Sequence, residues 1–233
     1  MNNFFKILFF FFGMGLLNHA EAARPMLTDD ARIVDPKSCQ LESWVRDSKH
    51  VTEYWALPAC NVSENLEVTI GGSLESESGH SSFASELYQM KSIIQPIALN
   101  QTGFSIVLGN GRDPKRTMNR AIQDWFLNVP MSYPYNDRLV IHTNLGVTHL
   151  TDEHKEKMNW GLSSEYNYKE RVDLISEVFN QSSNSTFFQF GLRYWLIKNR
   201  AQIDTTYMNS FNRLPCFICS SAILFASFSL SRE

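Results

Sequence analysis

The sequence predicts an all-β protein, an antiparallel transmembrane β-barrel of about 10–12 strands. The first observation is the stretch Phe187–Ile197, in which apolar residues occupy every second position, with a glutamine, a glycine and an arginine between them. A period of two places the apolar side chains on one face of a strand and does not fit one side of a helix. The second observation is length, because this apolar face continues for about ten residues. A bilayer requires about 9–11 residues of a barrel strand, whereas soluble sheets typically use about five or six.

The third observation is that aromatic side chains concentrate at the ends of the predicted strands. They are Tyr133, Tyr135, Trp160, Tyr166, Tyr168, Tyr194 and Trp195. Aromatic girdles at both membrane interfaces are typical of outer-membrane barrels. A soluble barrel or sandwich would show the same alternation with its polar face in water. The aromatic placement therefore favours the membrane alternative.

The N-terminal residues 1–22 predict a signal peptide and hence export to the bacterial outer membrane. Lys6 supplies the positive charge, residues 7–17 supply the apolar core, and Ala20-Glu21-Ala22 supplies the cleavage site. The apolar run is too short for the about 20 residues of a transmembrane helix. The whole chain has 233 residues and a net charge of -3, which predicts one domain and no nucleic-acid partner.

Residues 23–38 contain two prolines and no sustained period, so they predict an irregular periplasmic lead. The barrel domain follows at residues 39–208 as short alternating runs separated by turn-forming residues. The predicted strands are 39–46, 52–59, 65–72, 82–94, 103–109, 124–133, 138–147, 158–167, 171–179, 187–197 and 201–208. Long loops are expected at 72–82, 109–120 and 149–159, and short turns at 136–137, 169–170 and 199–200.

The first hairpin predicts a disulfide. With its tip at Lys49-His50, Arg46 faces Glu53, Trp44 faces Trp55 and Cys39 faces Cys60. An ion pair, an aromatic pair and two cysteines then meet across one antiparallel ladder, and each is a favourable cross-strand combination. The oxidising compartment implied by the signal peptide favours a bond between the two cysteines.

Polar side chains on the face opposite the apolar one predict the lining of the lumen. A charge on the lipid face near the midplane costs about 2–4 kcal/mol for Arg or Lys, so such residues should point inward. The predicted lumen-facing residues are Glu42, Glu67, His142, Asn144, Asp173, Glu177, Gln189 and Arg193.

No catalytic residue, metal site or cofactor is predicted. The loop around His149 and His154 contains two acidic residues but matches no metal signature. Cys216 and Cys219 form a lone pair without the two further ligands that zinc needs. A Ser132–His142 pair for lipid hydrolysis also fails in the predicted register, because a tip at 136–137 sets His142 opposite Met131.

Several segments together resemble a family of uncharacterised proteobacterial outer-membrane β-barrel proteins. They are residues 24–32 (Arg-Pro-Met-Leu-Thr-Asp-Asp-Ala-Arg), 39–44 (Cys-Gln-Leu-Glu-Ser-Trp), 53–61 (Glu-Tyr-Trp-Ala-Leu-Pro-Ala-Cys-Asn), 191–195 (Gly-Leu-Arg-Tyr-Trp) and 202–207 (Gln-Ile-Asp-Thr-Thr-Tyr). The chain is similar, more loosely, to barrels labelled as members of a phenol-degradation pathway. The resemblance implies an outer-membrane barrel without established catalytic residues.

The C-terminal residues 209–233 depart from that family, whose members finish on a strand that ends in an aromatic or apolar residue. This tail is apolar without clear alternation and ends in charge. It is interpreted either as a truncated or frameshifted terminal strand or as a closing strand within 217–229.

The predicted function is a passive one and not an enzymatic one: a narrow pore, uptake of a small apolar compound, or a structural role in the envelope. The expected partners are outer-membrane lipid, the barrel-assembly machinery and a small apolar ligand. The alternatives are an outer-membrane lipid-acting enzyme and a soluble periplasmic β-protein.

Overall fold

The computed structural model describes residues 26–47, 51–77, 79–115, 123–181, 185–211 and 225–231. Within these ranges the chain forms twelve strands. They are β1 (Ser38–Asp47), β2 (Val51–Ser63), β3 (Leu66–Glu77), β4 (His80–Gln95), β5 (Gly103–Arg112), β6 (Asp124–Asn136), β7 (Leu139–Leu150), β8 (Lys155–Lys169), β9 (Val172–Gln181), β10 (Phe187–Ile197), β11 (Ala201–Ser210) and β12 (Phe225–Ser231). A helix long and apolar enough to cross a membrane is not found in the described part of the chain.

The strands form a closed antiparallel barrel. Each strand pairs with its neighbours in the sequence, and β12 pairs with both β11 and β1. In the described ranges every strand has a paired neighbour on both sides, as a barrel in a bilayer requires. The closing strand β12 has seven residues and pairs with β11 at four positions. It overlaps the predicted closing strand 217–229 from residue 225 onward, and residues 212–224 lie outside the described residues.

The two ends of the barrel differ in their connections. The end at which β1 begins and β12 finishes carries turns of two or three residues at 64–65, 137–138, 170–171 and 198–200, and one longer connection at 96–102. We call it the short-turn end. The opposite, long-loop end carries the connections 113–123, 182–186 and 211–224, together with three shorter ones. Short turns face the periplasm in bacterial barrels of this kind.

Two of the predicted long loops were wrong, because the strands continue through them. The ladder of β3 and β4 extends to the pair Glu77 and His80, and that of β7 and β8 to the pair Leu150 and Lys155. The serines, glutamates and lysines in these stretches still pair their backbone groups across the ladder. The polarity of these residues indicates that the strands extend beyond the apolar band. It does not indicate that the strands stop there.

The exterior of the barrel is an apolar band, as the alternation along the strands predicts. On β10, Phe190 and Leu192 are exposed on the outside, while Gln189, the residue before Phe190, is fully buried on the inside. Corresponding outward residues with 44–56 % exposure encircle the barrel at Ile70, Met90, Leu108, Leu127, Leu145 and Leu162. Among the predicted girdle residues, Trp195 is an exception, because its indole nitrogen donates to Asp173 on the lumen side.

The first hairpin has the predicted register. Cys39 pairs with Cys60, and a disulfide links them. The rings of Trp44 and Trp55 stack with their centroids 5.2 Å apart. The Arg46 guanidinium lies 3.9 Å from the Glu53 carboxylate. The predicted disulfide and both cross-strand pairs are confirmed.

The predicted location of the N-terminal lead was wrong for the part that the structure describes. Residues 26–35 have no helix or strand, but they lie inside the barrel and not in the periplasm, and we call them the plug segment. Thr28, Ala31 and Val34 are buried there. A barrel lumen lined by polar groups offers partners to an irregular backbone, which is why such a segment is tolerated at membrane depth.

Candidate functional site

The first residues of the plug segment bind to β8 and β9. The Glu177 carboxylate accepts hydrogen bonds from the backbone N–H groups of Leu27 (3.0 Å) and Thr28 (2.9 Å). The Thr28 side chain lies directly against Gly161 of β8, where an added Cβ would stand 2.3 Å from the Thr28 hydroxyl oxygen. Gly161 therefore makes the space that this part of the segment occupies.

Four further hydrogen bonds attach the plug segment to β2, β3, β6 and β7. They run from the Asp29 N–H to the side-chain oxygen of Asn144 (2.7 Å), from the Ala31 N–H to Ser132 Oγ (2.9 Å), from the Val34 N–H to Glu67 Oε2 (2.8 Å) and from Asn61 Nδ2 to the Val34 carbonyl (2.7 Å). Strands on opposite sides of the barrel contribute, such as β3 and β9, so the segment crosses the lumen.

An ion pair adds to this network on β4. Lys91 Nζ, on a side chain that is only 5 % exposed, lies 3.0 Å from Asp29 and 3.6 Å from Asp30. Burial acts to raise the pKa of the Asp30 carboxyl, but the positive charges of Lys91 and Arg32 outweigh it and hold that pKa below its ordinary value. Asp30 is therefore ionised at neutral pH and pairs with the lysine.

Ser132 and His142 are in contact, which corrects the predicted register of this hairpin. The two residues pair directly across β6 and β7, because the turn lies at residues 137–138 and an irregularity between Pro134 and Asn136 then shifts the ladder by one residue. Ser132 Oγ lies 2.7 Å from His142 Nδ1, and His142 Nε2 lies 4.0 Å from the Glu165 carboxylate. Ser132 Oγ also accepts the hydrogen bond from the Ala31 N–H of the plug segment, which leaves its proton and its second lone pair for the contact with His142 Nδ1. The pair thus orients an acceptor for the plug segment.

The lumen contains two compartments on either side of the plug segment, and both are lined by Thr28 and Asp29 of the segment and by Leu57, Leu87 and Gln89 of the barrel wall. The outer compartment, towards the long-loop end, has a volume of about 660 Å³. The inner compartment, towards the short-turn end, has a volume of about 630 Å³. The two compartments therefore meet where the plug segment lies beside β2 and β4.

The outer compartment has an apolar wall, which is unusual for a barrel lumen. Side chains from eight strands form it: Trp44, Trp55, Leu57, Leu87, Val107, Phe126, Phe179, Phe187 and Met208. Phe179 and Phe187 stack with centroids 5.7 Å apart, as Trp44 and Trp55 do on the first hairpin. The Phe126 ring lies over Gly109, where an added Cβ would be 2.1 Å away. The wall is thus shaped by flat aromatic faces.

The inner compartment is polar and charged. Its central group is Arg193, which donates to Glu165 at 2.8 Å and to Asp204 at 3.0 Å. Glu42 and Gln40 of β1 line the same space near the short-turn end. The arginine is held by two carboxylates, and acidic side chains outnumber basic ones in the lining of this compartment.

The eight residues predicted to face the lumen occupy several positions. Glu67, Asn144 and Glu177 bind the plug segment, and His142 supports Ser132. Glu42 and Arg193 line the inner compartment. Asp173 accepts hydrogen bonds from Asn167 and Trp195, and Gln189 is fully buried.

Sequence reasoning missed two groups of residues at this site. One group binds the plug segment and contains Asn61, Lys91, Ser132 and Gly161. The other is the apolar wall of the outer compartment. Its signal was present in the sequence, because apolar residues occupy inward positions that alternation assigns to polar ones, as Trp44, Leu57 and Phe179 do.

The loop residues considered for metal binding make simpler contacts. His149 Nδ1 lies 3.6 Å from the Glu156 carboxylate across β7 and β8. In the described ranges, no three or more His, Cys, Asp or Glu side chains converge in a way that would hold a metal ion. Cys216 and Cys219 lie outside the described residues.

Comparisons with known proteins agree on the fold. A family model described as "Uncharacterised conserved protein UCP029691" matches residues 13–212. No curated protein sequence matches the chain. Three similar solved structures are porins. A KdgM porin has a TM-score of 0.54 and 5 % sequence identity, and the match covers 83 % of this chain and 99 % of the porin. A KdgM porin in complex with disordered oligogalacturonate (TM-score 0.54, 6 % identity) and a NanC porin (TM-score 0.53, 7 % identity) each match 84 % of this chain and 99 % of their own length. At these identities the similarity establishes the barrel fold alone.

Proposed function

The chain belongs to the uncharacterised conserved protein family UCP029691, and we propose that it is a passive outer-membrane barrel that takes up small apolar compounds. The observation that carries this proposal is the apolar outer compartment. Its volume of about 660 Å³ lies within the range of small-molecule sites, about 300–1,000 Å³. Transfer of apolar surface into it is favourable by about 25 cal/mol per Å².

Location in the outer membrane follows from the proposed topology. Residues 1–22, which lie outside the described residues, act as the signal peptide in this proposal, and the short-turn end faces the periplasm. Cleavage after Ala22 would make Met26 the fourth residue of the exported chain. The plug segment would then be tethered to the barrel at one end, where it leads into β1.

An acidic sugar, the kind of ligand named with one KdgM porin structure, fits the outer compartment poorly. Among the described residues that line this compartment, Arg46 carries the one positive charge, and it lies 3.9 Å from Glu53. Binding of a polyanion requires several cations or bidentate arginines. The aromatic and aliphatic wall instead favours a ligand without charge.

The Ser132–His142 contact favours an anchoring role over lipid hydrolysis. Ser132 is fully buried, its oxygen accepts the Ala31 N–H, and it faces the lumen and not the lipid. An acyl substrate would have to displace the plug segment before it could meet the hydroxyl.

A soluble periplasmic protein is disfavoured by the apolar exterior. A structural role in the envelope leaves the apolar outer compartment without a purpose.

Photolabelling tests the proposal directly. The purified barrel in lipid nanodiscs is irradiated with benzophenone, and labelled residues are mapped by mass spectrometry with and without naphthalene as a competitor. We expect saturable labelling of Met208 and Leu57 in the outer compartment. Leu87→Trp, which fills the compartment, should lower this label about tenfold, whereas Leu127→Trp on the exterior should not change it. Label confined to lipid-facing residues, without competition, would contradict the proposal.

A further inference from the structure

We propose that the plug segment is a displaceable gate between the two compartments. The inference concerns the regulation of the site described above, and its physiological purpose rests on the proposed uptake function. The gate is closed in the present structure, because the segment is bonded across the lumen, from Glu177 to Glu67, and its Thr28 and Asp29 lie where the two compartments meet. A compound that enters from the outside meets Leu27, Thr28 and Asp29 as its floor.

The way in which the segment is held allows it to leave without disturbing the barrel. In the described residues, its one backbone–backbone hydrogen bond beyond the barrel ladders runs from the Ser38 N–H to the Asp35 carbonyl, at the exit into β1. Its bonds to the barrel wall all involve side chains: they join its backbone to polar side chains of the wall and its Asp29 and Asp30 carboxylates to Lys91. Every ladder bond of the barrel therefore persists when the segment moves, and the wall side chains exchange their partner for lumen water. Each such exchange costs about 0.5–1.5 kcal/mol net, and more where a charged group takes part.

The exit into β1 provides a hinge. Lys37 adopts a left-handed backbone conformation with φ of 60°, directly before the first residue of β1. Pro36 precedes it and restricts the backbone of Asp35 to extended conformations. The C-terminal end of the plug segment thus lies at a defined bend at the short-turn end of the barrel. The segment can rotate out of the lumen as one unit about this bend.

The wall on the opposite side is shaped for the segment at one place. An ideal Cβ at Gly161 would lie 3.1 Å from Thr28 Cβ. This separation is a few tenths of an ångström below the about 3.5–4.5 Å that disulfides use, so a cysteine pair at 28 and 161 needs only a small outward shift to form a bond. Such a bond would hold the gate closed while leaving the wall otherwise intact.

The experiment compares locked and released forms in planar bilayers. The variant carries Thr28→Cys and Gly161→Cys, with Cys216→Ser and Cys219→Ser to remove other thiols. We expect the unmodified chain to show a mostly closed state with openings. Oxidation of the cysteine pair should abolish the openings, and a reductant should restore them. The unmodified chain treated with the same reductant controls for the Cys39–Cys60 bridge, and each single cysteine variant controls for the substitutions.

A second variant lacks residues 26–35 and should raise the mean conductance about tenfold or more. Heat-modifiable gel mobility reports whether the deletion variant is folded. If the deletion variant does not fold, the comparison of the oxidised and reduced cysteine pair tests the gate by itself. Openings that persist in the oxidised form would overturn the gate, as would a chain that never opens while the deletion variant conducts. Benzophenone labelling of Met208 is read in the same samples. Absent labelling of Met208 together with intact gating would contradict the uptake function and support the gate. Labelling of Met208 without gating would contradict the gate and support the uptake function.

Discussion

Gly161→Ala should push the plug segment out of its closed position, and Thr28→Ala should restore it. An ideal Cβ at 161 would lie 2.3 Å from Thr28 Oγ1, 3.1 Å from its Cβ and 3.3 Å from its Cγ2. The 2.3 Å approach to Oγ1 requires the threonine or the segment that carries it to move, whereas the 3.1 Å approach to Cβ requires a shift of only a few tenths of an ångström. Overpacking of this kind costs about 1–3 kcal/mol. Because about 1.4 kcal/mol is tenfold in an equilibrium constant, the ratio of closed to open forms should fall by about 5- to 150-fold.

Thr28→Ala in the Gly161→Ala background tests whether the Thr28 side chain is the group that the added methyl group displaces. Thr28→Ala removes the oxygen and the methyl group and leaves only the 3.1 Å approach to Cβ, so the double variant should recover most of the closed population. The two substitutions should therefore couple by about 1–2 kcal/mol in a double-mutant cycle.

The assay is hydrogen–deuterium exchange of the peptide that contains residues 27–34, with the barrel in nanodiscs. Gly111→Ala serves as the matched control, because its added Cβ would meet nothing within 4 Å. Faster exchange in Gly161→Ala, reversed by Thr28→Ala and absent in Gly111→Ala, is the expected pattern. Exchange in Gly161→Ala that equals the unmodified chain would refute the claim that Thr28 fills the space over this glycine.

Three further predictions concern the ion pair, the disulfide and the closing strand. Lys91→Met removes the ammonium group that pairs with Asp29 and Asp30 and should weaken the closed plug by about 1.5–3 kcal/mol, seen as faster exchange of the same peptide, whereas Lys157→Met on β8, which pairs with Glu153, should have no effect. Replacing Cys39 and Cys60 by serine should lower the free energy of unfolding in urea by about 3 kcal/mol, because the bridge closes a 21-residue separation; an unchanged midpoint would show that the ladder alone sets the hairpin. Replacing residues 225–231 by a longer alternating strand with a terminal aromatic residue should raise the heat-modifiable fraction, because β12 pairs with β11 at only four positions; equal assembly of both chains would show that the short strand suffices.

The strand pattern and the first hairpin could be predicted because they depend on residues close together in the chain. The alternation in β10 reports directly on lipid and lumen, since successive side chains of a strand point to opposite faces. The register of β1 and β2 follows from three complementary pairs that all agree, the cysteines, the tryptophans and the Arg46–Glu53 pair. Where one local irregularity intervened, between Pro134 and Asn136, the predicted register of β6 and β7 was off by one residue, and the Ser132–His142 contact was lost.

The sequence by itself determined that this chain forms a barrel with an apolar exterior, because a period of two and a strand length are local properties of the chain. Only the tertiary structure decided what fills the barrel. The carboxylate that binds Leu27 lies 150 residues further along the chain, and the aromatic wall of the outer compartment comes from eight separate strands. No local pattern brings such residues together, because their distances are set by closure of the whole ladder. An irregular stretch with two prolines therefore appears in the sequence as a loose lead, and the polar groups that converge on it make it a plug.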